Sequence, residues 1–140
     1  MSYVEFNVLG DPKPQGSMRA FTNPKTGRPI LTSASKGLPA WRRDIKEEAV
    51  NHFDALIDGP VGVWAEFRFT RPKSAKKGAT WKISTPDLDK LVRSLLDALT
   101  GVAYQDDARV ARLIVRKRLT EGDEQPGVLV RVEGLEHGKR

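Results

Sequence analysis

Two pairs of aspartates stand out for the chemistry they could do. Asp87 and Asp89 are separated by one leucine in TPDLDK, and Asp106 and Asp107 are adjacent in YQDDARV. Carboxylates suit hard cations such as Mg²⁺, and three around one ion leave positions open for phosphate and water. Such an ion polarises a phosphoryl oxygen and lowers the pKa of an attacking water, as phosphodiester hydrolysis requires. Other chemistries are poorly supplied. The chain has no cysteine, which excludes disulfides, thiolate zinc sites and cysteine nucleophiles. His52 and His137 are the only imidazoles and lie far apart in sequence. There is no phosphate-binding glycine loop of the G-x-x-x-x-G-K-[ST] type. A calcium loop starting at Asp87 would need Gly at its sixth position and Glu at its twelfth, where Val92 and Ala98 stand.

Backbone geometry decides whether the first pair can share an ion. Inside a helix Asp87 and Asp89 would point about 200° apart. In an extended segment, side chains at i and i+2 lie on the same side. A metal site therefore requires Asp87 to precede the regular helix, with Asp107 brought in from the entrance of the next strand. The same residues can also be explained without a metal. Thr85 is a good N-cap, Pro86 suits the first helical position, and acids in the first turn complement the helix dipole. Asp89 and Arg93, at i and i+4, would form a surface pair, and Asp106 and Asp107 would be turn residues.

The elements that must position these residues follow from hydrophobic spacing. Val4, Phe6 and Val8 alternate in an opening strand. Residues 11–38 are rich in Pro, Gly, Ser, Thr and Lys, show no period, and are too long for an idle connector; they are expected to be mobile or used for binding. Trp41, Ile45, Ala49, Phe53 and Leu56 follow helical spacing, predicting a helix over 39–57 that Gly59-Pro60 stops. Val61, Val63, Ala65, Phe67 and Phe69 mark a second strand, followed by a basic loop over 71–82. Leu88, Leu91, Val92, Leu95, Leu96 and Leu99 form the apolar stripe of a second helix, ended by Gly101. Ala111, Leu113, Val115 and Leu119 alternate in a third strand with Arg112, Ile114, Arg116 and Arg118 opposite, and Val128, Val130 and Val132 mark a fourth. The order β-α-β-α-β-β predicts one α+β domain over 1–140, a mixed sheet of about four strands packed against two helices, with 134–140 as a frayed tail.

With 140 residues there is room for one core. The longest apolar runs are a few residues and the amino terminus lacks a signal-peptide pattern, so no membrane association and a cytoplasmic location are expected. The net charge of +6 is unevenly placed. Residues 1–86 hold 14 Lys/Arg against 8 Asp/Glu, whereas 87–140 hold 10 of each. Residues 12–43 contain seven basic side chains and no acid, and 67–86 contain six and no acid. Clusters of this kind attract a polyanion, or simply solvate the loops of a small protein.

The ordered string DLDKLVRSLLDALTG, then YQDDARV, then Lys117 resembles the RusA family of Holliday-junction resolvases. That family carries a D-x-D-N-L-x-K segment running into D-A-L, a following D-D pair, and a lysine at the end of the next strand. The close match covers residues 86–117, and GDPKPQGSMR loosely resembles the family's Pro-rich, basic opening. The resemblance implies a homodimeric endonuclease, dependent on Mg²⁺ with Mn²⁺ as a substitute, that nicks opposing strands of a four-way DNA junction in recombination and repair. It assigns Asp87 and Asp89 to the D-x-D metal ligands, Asp107 to the third catalytic carboxylate, Asp106 to a neighbouring acid with a weaker claim, and Lys117 to the strand lysine. Two positions depart from the pattern. Lys90 replaces the usual Asn and is expected to contact DNA, since ammonium has no lone pair for a metal. Arg93 replaces a functional lysine and can stabilise charge at the scissile phosphate but cannot transfer a proton. Further DNA contacts are expected from Lys117, Arg19, Arg71, Lys73, Lys76 and Lys77. Asp97 is expected to serve structure or a dimer contact. Three alternatives stay open: a nuclease on other branched DNA, a junction-binding protein without cleavage, and a basic globular domain with well-capped helices.

Overall fold

A computed structural model describes residues 3–16, 18–33 and 37–137, with the side chains of 18–22 and 29–33 outside the description. Strands β1 (Val4–Leu9), β4 (Val61–Phe69), β5 (Val110–Leu119) and β6 (Gly127–Gly134) form one sheet in the order β1-β6-β4-β5. β6 runs antiparallel to both β1 and β4, while β5 runs parallel to β4 and forms one edge. Helices α1 (Leu38–Val50) and α2 (Leu88–Leu99) cover one face. The parallel β4–β5 pair needs a crossover between its strands, and α2 supplies it. This is the expected α+β fold, with the expected order of the main strands and helices.

Alternation sorts the sheet's two faces. Val61, Val63, Ala65 and Phe67 of β4 are buried beside Val128, Val130 and Val132 of β6 and Phe6 and Val8 of β1. Onto this layer α1 packs Trp41, Ile45 and Ala49, and α2 packs Leu91, Leu95 and Leu99. Among the described residues no helix lies on the other face, which is covered by its own long side chains. Glu66 is buried between Arg116 and Arg118, at 2.5 and 3.0 Å. Trp64 lies between the guanidiniums of Arg116 and Arg131, 5.3 and 4.6 Å from its ring. Stems of this kind shield apolar surface while their charges remain near water.

Two local expectations are corrected. Within 11–38 lies a hairpin, β2 (Met18–Thr22) against β3 (Pro29–Ser33), in a two-stranded sheet of its own. Its strands are too short for a period to emerge from composition. The turn signal was present: Asn23 Oδ1 accepts from the Lys25 amide at 2.8 Å, and Gly27 takes a positive φ of 70°. The first helix ends at Val50, seven residues short of the predicted 57. The Asn51 amide turns back to Glu48 and Ala49, after which Phe53 and Ile57 still pack on the core from an irregular segment, whereas Leu56, expected on the same apolar stripe, is exposed. Apolar spacing therefore persists where the backbone is no longer helical. No helix among the described residues is long and apolar enough to cross a membrane.

Candidate active site

The first pair of acids lies at the start of α2. Asp87 is the N-cap residue, extended at φ −67° and ψ 140°, and follows a cis Thr85-Pro86 peptide. Its carbonyl accepts from the Leu91 amide at 3.2 Å, while its carboxylate makes no capping hydrogen bond. Thr85 and Pro86 both precede the helix, so they are not the cap and first helical residue that their types suggest. Asp87 thus stands before the regular helix, as a metal site requires, and Asp89 stands in its first turn. The exposed Asp87 carboxylate lies 3.7 Å from Lys90 Nζ. Asp89 makes no hydrogen bond or ion pair among the described residues, and the i, i+4 pair with Arg93 is not formed.

The second pair enters β5 through a short 3₁₀ turn, Asp107–Arg109. Asp106 caps that turn, its Oδ1 accepting from the Ala108 amide at 2.8 Å. That bond gives Asp106 a local structural task and leaves Asp107 the more available of the two. Desolvation, the side-chain hydrogen bond and charge of Asp106, and the charge of Asp97 push the Asp107 carboxyl above the ordinary aspartate range, while Arg93 opposes them.

Asp89 and Asp107 meet on a cavity of about 620 Å³ between α2 and β5. Arg93 lines it too, with an apolar wall of Leu88, Val92, Leu96, Leu113 and Val115. Asp87 is not part of that lining, and among the described residues no three acidic or histidine side chains stand close enough to hold an ion. The donor set nonetheless fits a hard divalent cation. Two carboxylates from separate elements open onto one cavity, and the exposed Asp87 side chain stands at the N-cap two residues before Asp89.

Several residues hold these acids in place. The Lys117 ammonium donates to the Ser84 and Pro86 carbonyls, both at 2.7 Å, and so ties the segment leading to Asp87 onto β5. Tyr104 is buried and donates to the Leu96 carbonyl at 2.8 Å, fixing the chain three residues before Asp107 against α2. Ser94 Oγ donates to the Lys13 carbonyl at 2.8 Å, and the Gln15 amide to the Lys90 carbonyl at 2.9 Å, so the proline-rich opening lies along α2. Sequence spacing did not single out Tyr104 or Ser94; a tyrosine between an apolar turn and two acids was the available signal.

The expected DNA contacts divide by what already holds them. Lys73, Lys76 and Lys77 are exposed. Arg71 is half-buried, its guanidinium donating to the carbonyls of Thr120 at 3.0 Å and Ala79 at 2.5 Å, which makes it a clamp for its own loop. Arg19 lies in β2, with its side chain outside the described residues. Asp97 lines a second cavity of about 540 Å³ with Arg42, Arg43 and Lys46, residues of the basic α1 surface that were not singled out individually.

Two comparisons bear on this arrangement. The family described as Endodeoxyribonuclease RusA matches residues 10–133, which include both helices, β4, β5, all of β6 but its last residue, and both acidic pairs. A Bacillus subtilis (strain 168) protein described as "Uncharacterized protein YqaN" is 28% identical over 132 residues, spanning 86% of this chain and 91% of the relative. The chain belongs to the RusA endodeoxyribonuclease family.

Proposed function

We propose that this chain is a Mg²⁺-dependent endodeoxyribonuclease, with Mn²⁺ as a substitute, that resolves four-way DNA junctions by paired phosphodiester hydrolysis. It acts as a homodimer in the cytoplasm. The cavity shared by Asp89, Asp107 and Arg93, in a chain of this family, carries the reading. Asp87, Asp89 and Asp107 are the residues that would hold the ion, which when bound supplies phosphoryl polarisation and a more acidic water. Arg93 remains protonated and stabilises the negative charge that develops on the phosphate. Lys117 holds the segment before Asp87. Lys73, Lys76, Lys77 and Lys90, with Arg19 and Arg71, contribute positive charge along the DNA backbone. Leu113 and Ile114, 43% and 54% exposed on edge strand β5 ahead of the residues that segment 79–86 covers, favour a second copy at that edge. Two copies supply two sites for opposing strands.

The test is cleavage of a synthetic four-way junction by purified protein with Mg²⁺ or Mn²⁺, against a linear duplex of the same sequence. Preferential, metal-dependent cutting of the junction is expected. Equal cutting of linear DNA would leave a broader nuclease, binding without cutting would leave a junction-holding protein, and no salt-sensitive binding would sink the reading. Within the same assay, Arg93→Lys is expected to retain activity within about threefold, because a charge at the same place suffices. Arg93→Ala is expected to lose about 100-fold, the scale of one lost charge-stabilising donor. Full activity of Arg93→Ala would remove the residue from the site.

A further inference from the structure

The last residues of edge strand β5 are met by the segment 79–86, which runs directly into Asp87. This segment is well anchored. Trp81 bridges Arg118 in antiparallel fashion, the Leu119 amide donates to the Thr80 carbonyl at 2.9 Å, and Lys117 bonds the Ser84 and Pro86 carbonyls. Lys82 turns back toward the sheet, its ammonium 4.9 Å from the Phe69 ring centre and 3.0 Å from Ser84 Oγ. In such an extended stretch neighbours alternate in direction, so Trp81 and Ile83 share the side opposite Lys82. Both face solvent: Ile83 is 95% exposed and Trp81 55%. Two large apolar side chains are thus held out on a tethered segment whose position contributes nothing to the core.

Their surroundings indicate what they meet. Residues 71–86 carry five basic side chains and no acid. A second copy seated there would set like charge against like charge, whereas a polyanion is complementary. Ile83 is four residues from Asp87, so their Cα atoms are at most about 14 Å apart even in a fully extended chain. That is a few nucleotide steps from a phosphate held at the acidic site. Apolar and aromatic side chains flanked by basic ones match the face of a base whose stacking has been interrupted, and branch points supply such bases.

We propose that Trp81 and Ile83 form an apolar wedge that packs against an unstacked base at the branch point and so favours branched over linear DNA at the neighbouring acidic site. The inference rests on the nuclease reading above and adds a selectivity element to it. Its probe is a synthetic four-way junction carrying 2-aminopurine at a branch-point nucleotide, whose fluorescence rises on unstacking. Wild-type protein in Ca²⁺, to suppress cutting, is expected to raise the fluorescence. Trp81→Ala and Ile83→Ala, both at exposed positions, are expected to abolish that rise. Each should also lower the preference for junction over linear duplex by about 10-fold, the scale of one lost base–aromatic contact, with Tm unchanged. Trp81→Phe should restore both. An unchanged fluorescence rise and preference in the Ala variants would overturn the wedge while leaving the nuclease reading intact. So would a change in sedimentation showing that Ile83→Asp disrupts a dimer, because the surface would then belong to a second copy. If wild-type protein neither bound nor cut the junction, the nuclease reading would fail and the wedge with it.

Discussion

Asp107→Asn is expected to reduce junction cleavage by at least about 100-fold, equivalent to about 3 kcal/mol of lost transition-state stabilisation. Junction affinity should stay within about twofold or rise slightly, because removing an acid from a basic surface cannot weaken its attraction for phosphate. Folding should not suffer. Asp107 is exposed, and its carboxyl is pushed up by desolvation and then by Asp106 and Asp97, with Arg93 opposing, so a neutral side chain removes a net penalty and Tm should hold or increase. Gel-shift binding in Ca²⁺, cleavage in Mg²⁺ and thermal melting check the three parts together. Asp89→Asn, at the other carboxylate on the same cavity, should behave alike. Asp106→Asn is the internal contrast. Asn can still accept from the Ala108 amide and keep the cap, so its cleavage loss should be far smaller. Equal losses at 106 and 107 would place the third carboxylate wrongly.

Lys117→Met is expected to lower cleavage by about 10- to 100-fold, the usual cost of losing a group that orients metal ligands. The family pattern and the basic charge made Lys117 a DNA contact by expectation. In the fold its ammonium donates to the Ser84 and Pro86 carbonyls, three residues and one residue before Asp87. Methionine keeps the length and loses both bonds, so the Asp87 approach loosens while the sheet is untouched. A positioning role predicts partial rescue by high Mg²⁺, with junction affinity and its salt dependence unchanged. A phosphate contact predicts a uniform fall in affinity and a salt slope shallower by about 1, with no rescue by metal. Measuring affinity from low to high salt beside a Mg²⁺ titration of cleavage separates the two.

The main elements were legible where packing and period agree. β4 alternates Val61, Val63, Ala65, Phe67 and Phe69 because one sheet face is buried, and α2 repeats Leu88, Leu91, Leu95 and Leu99 because one helix face is. Elsewhere the signal was ambiguous. Phe53 continues the predicted spacing of α1 while belonging to an irregular segment that leaves Leu56 exposed, since burial of a side chain does not require helical backbone around it. The hairpin β2–β3 was hidden because five-residue strands without a clear alternation leave only their turn to read. Capping types misled at Thr85-Pro86, where the helix starts two residues later than they suggest and Asp87 is the residue left outside it.

The sequence by itself determined the α+β order, the clustering of positive charge, the absence of thiol chemistry and the two acidic pairs with the family string around them. These depend on residue type and on periods of two and 3.6, which are local properties. Only the tertiary structure decided that Asp89, Asp107 and Arg93 open onto one cavity, that Asp106 is engaged in a cap, and that Lys117 reaches back to the segment before Asp87. Those outcomes depend on the parallel crossover that lays α2 beside the entrance of β5, which begins eleven residues after the helix ends. No local rule encodes that juxtaposition, because it is set by how two distant apolar faces close over a shared core.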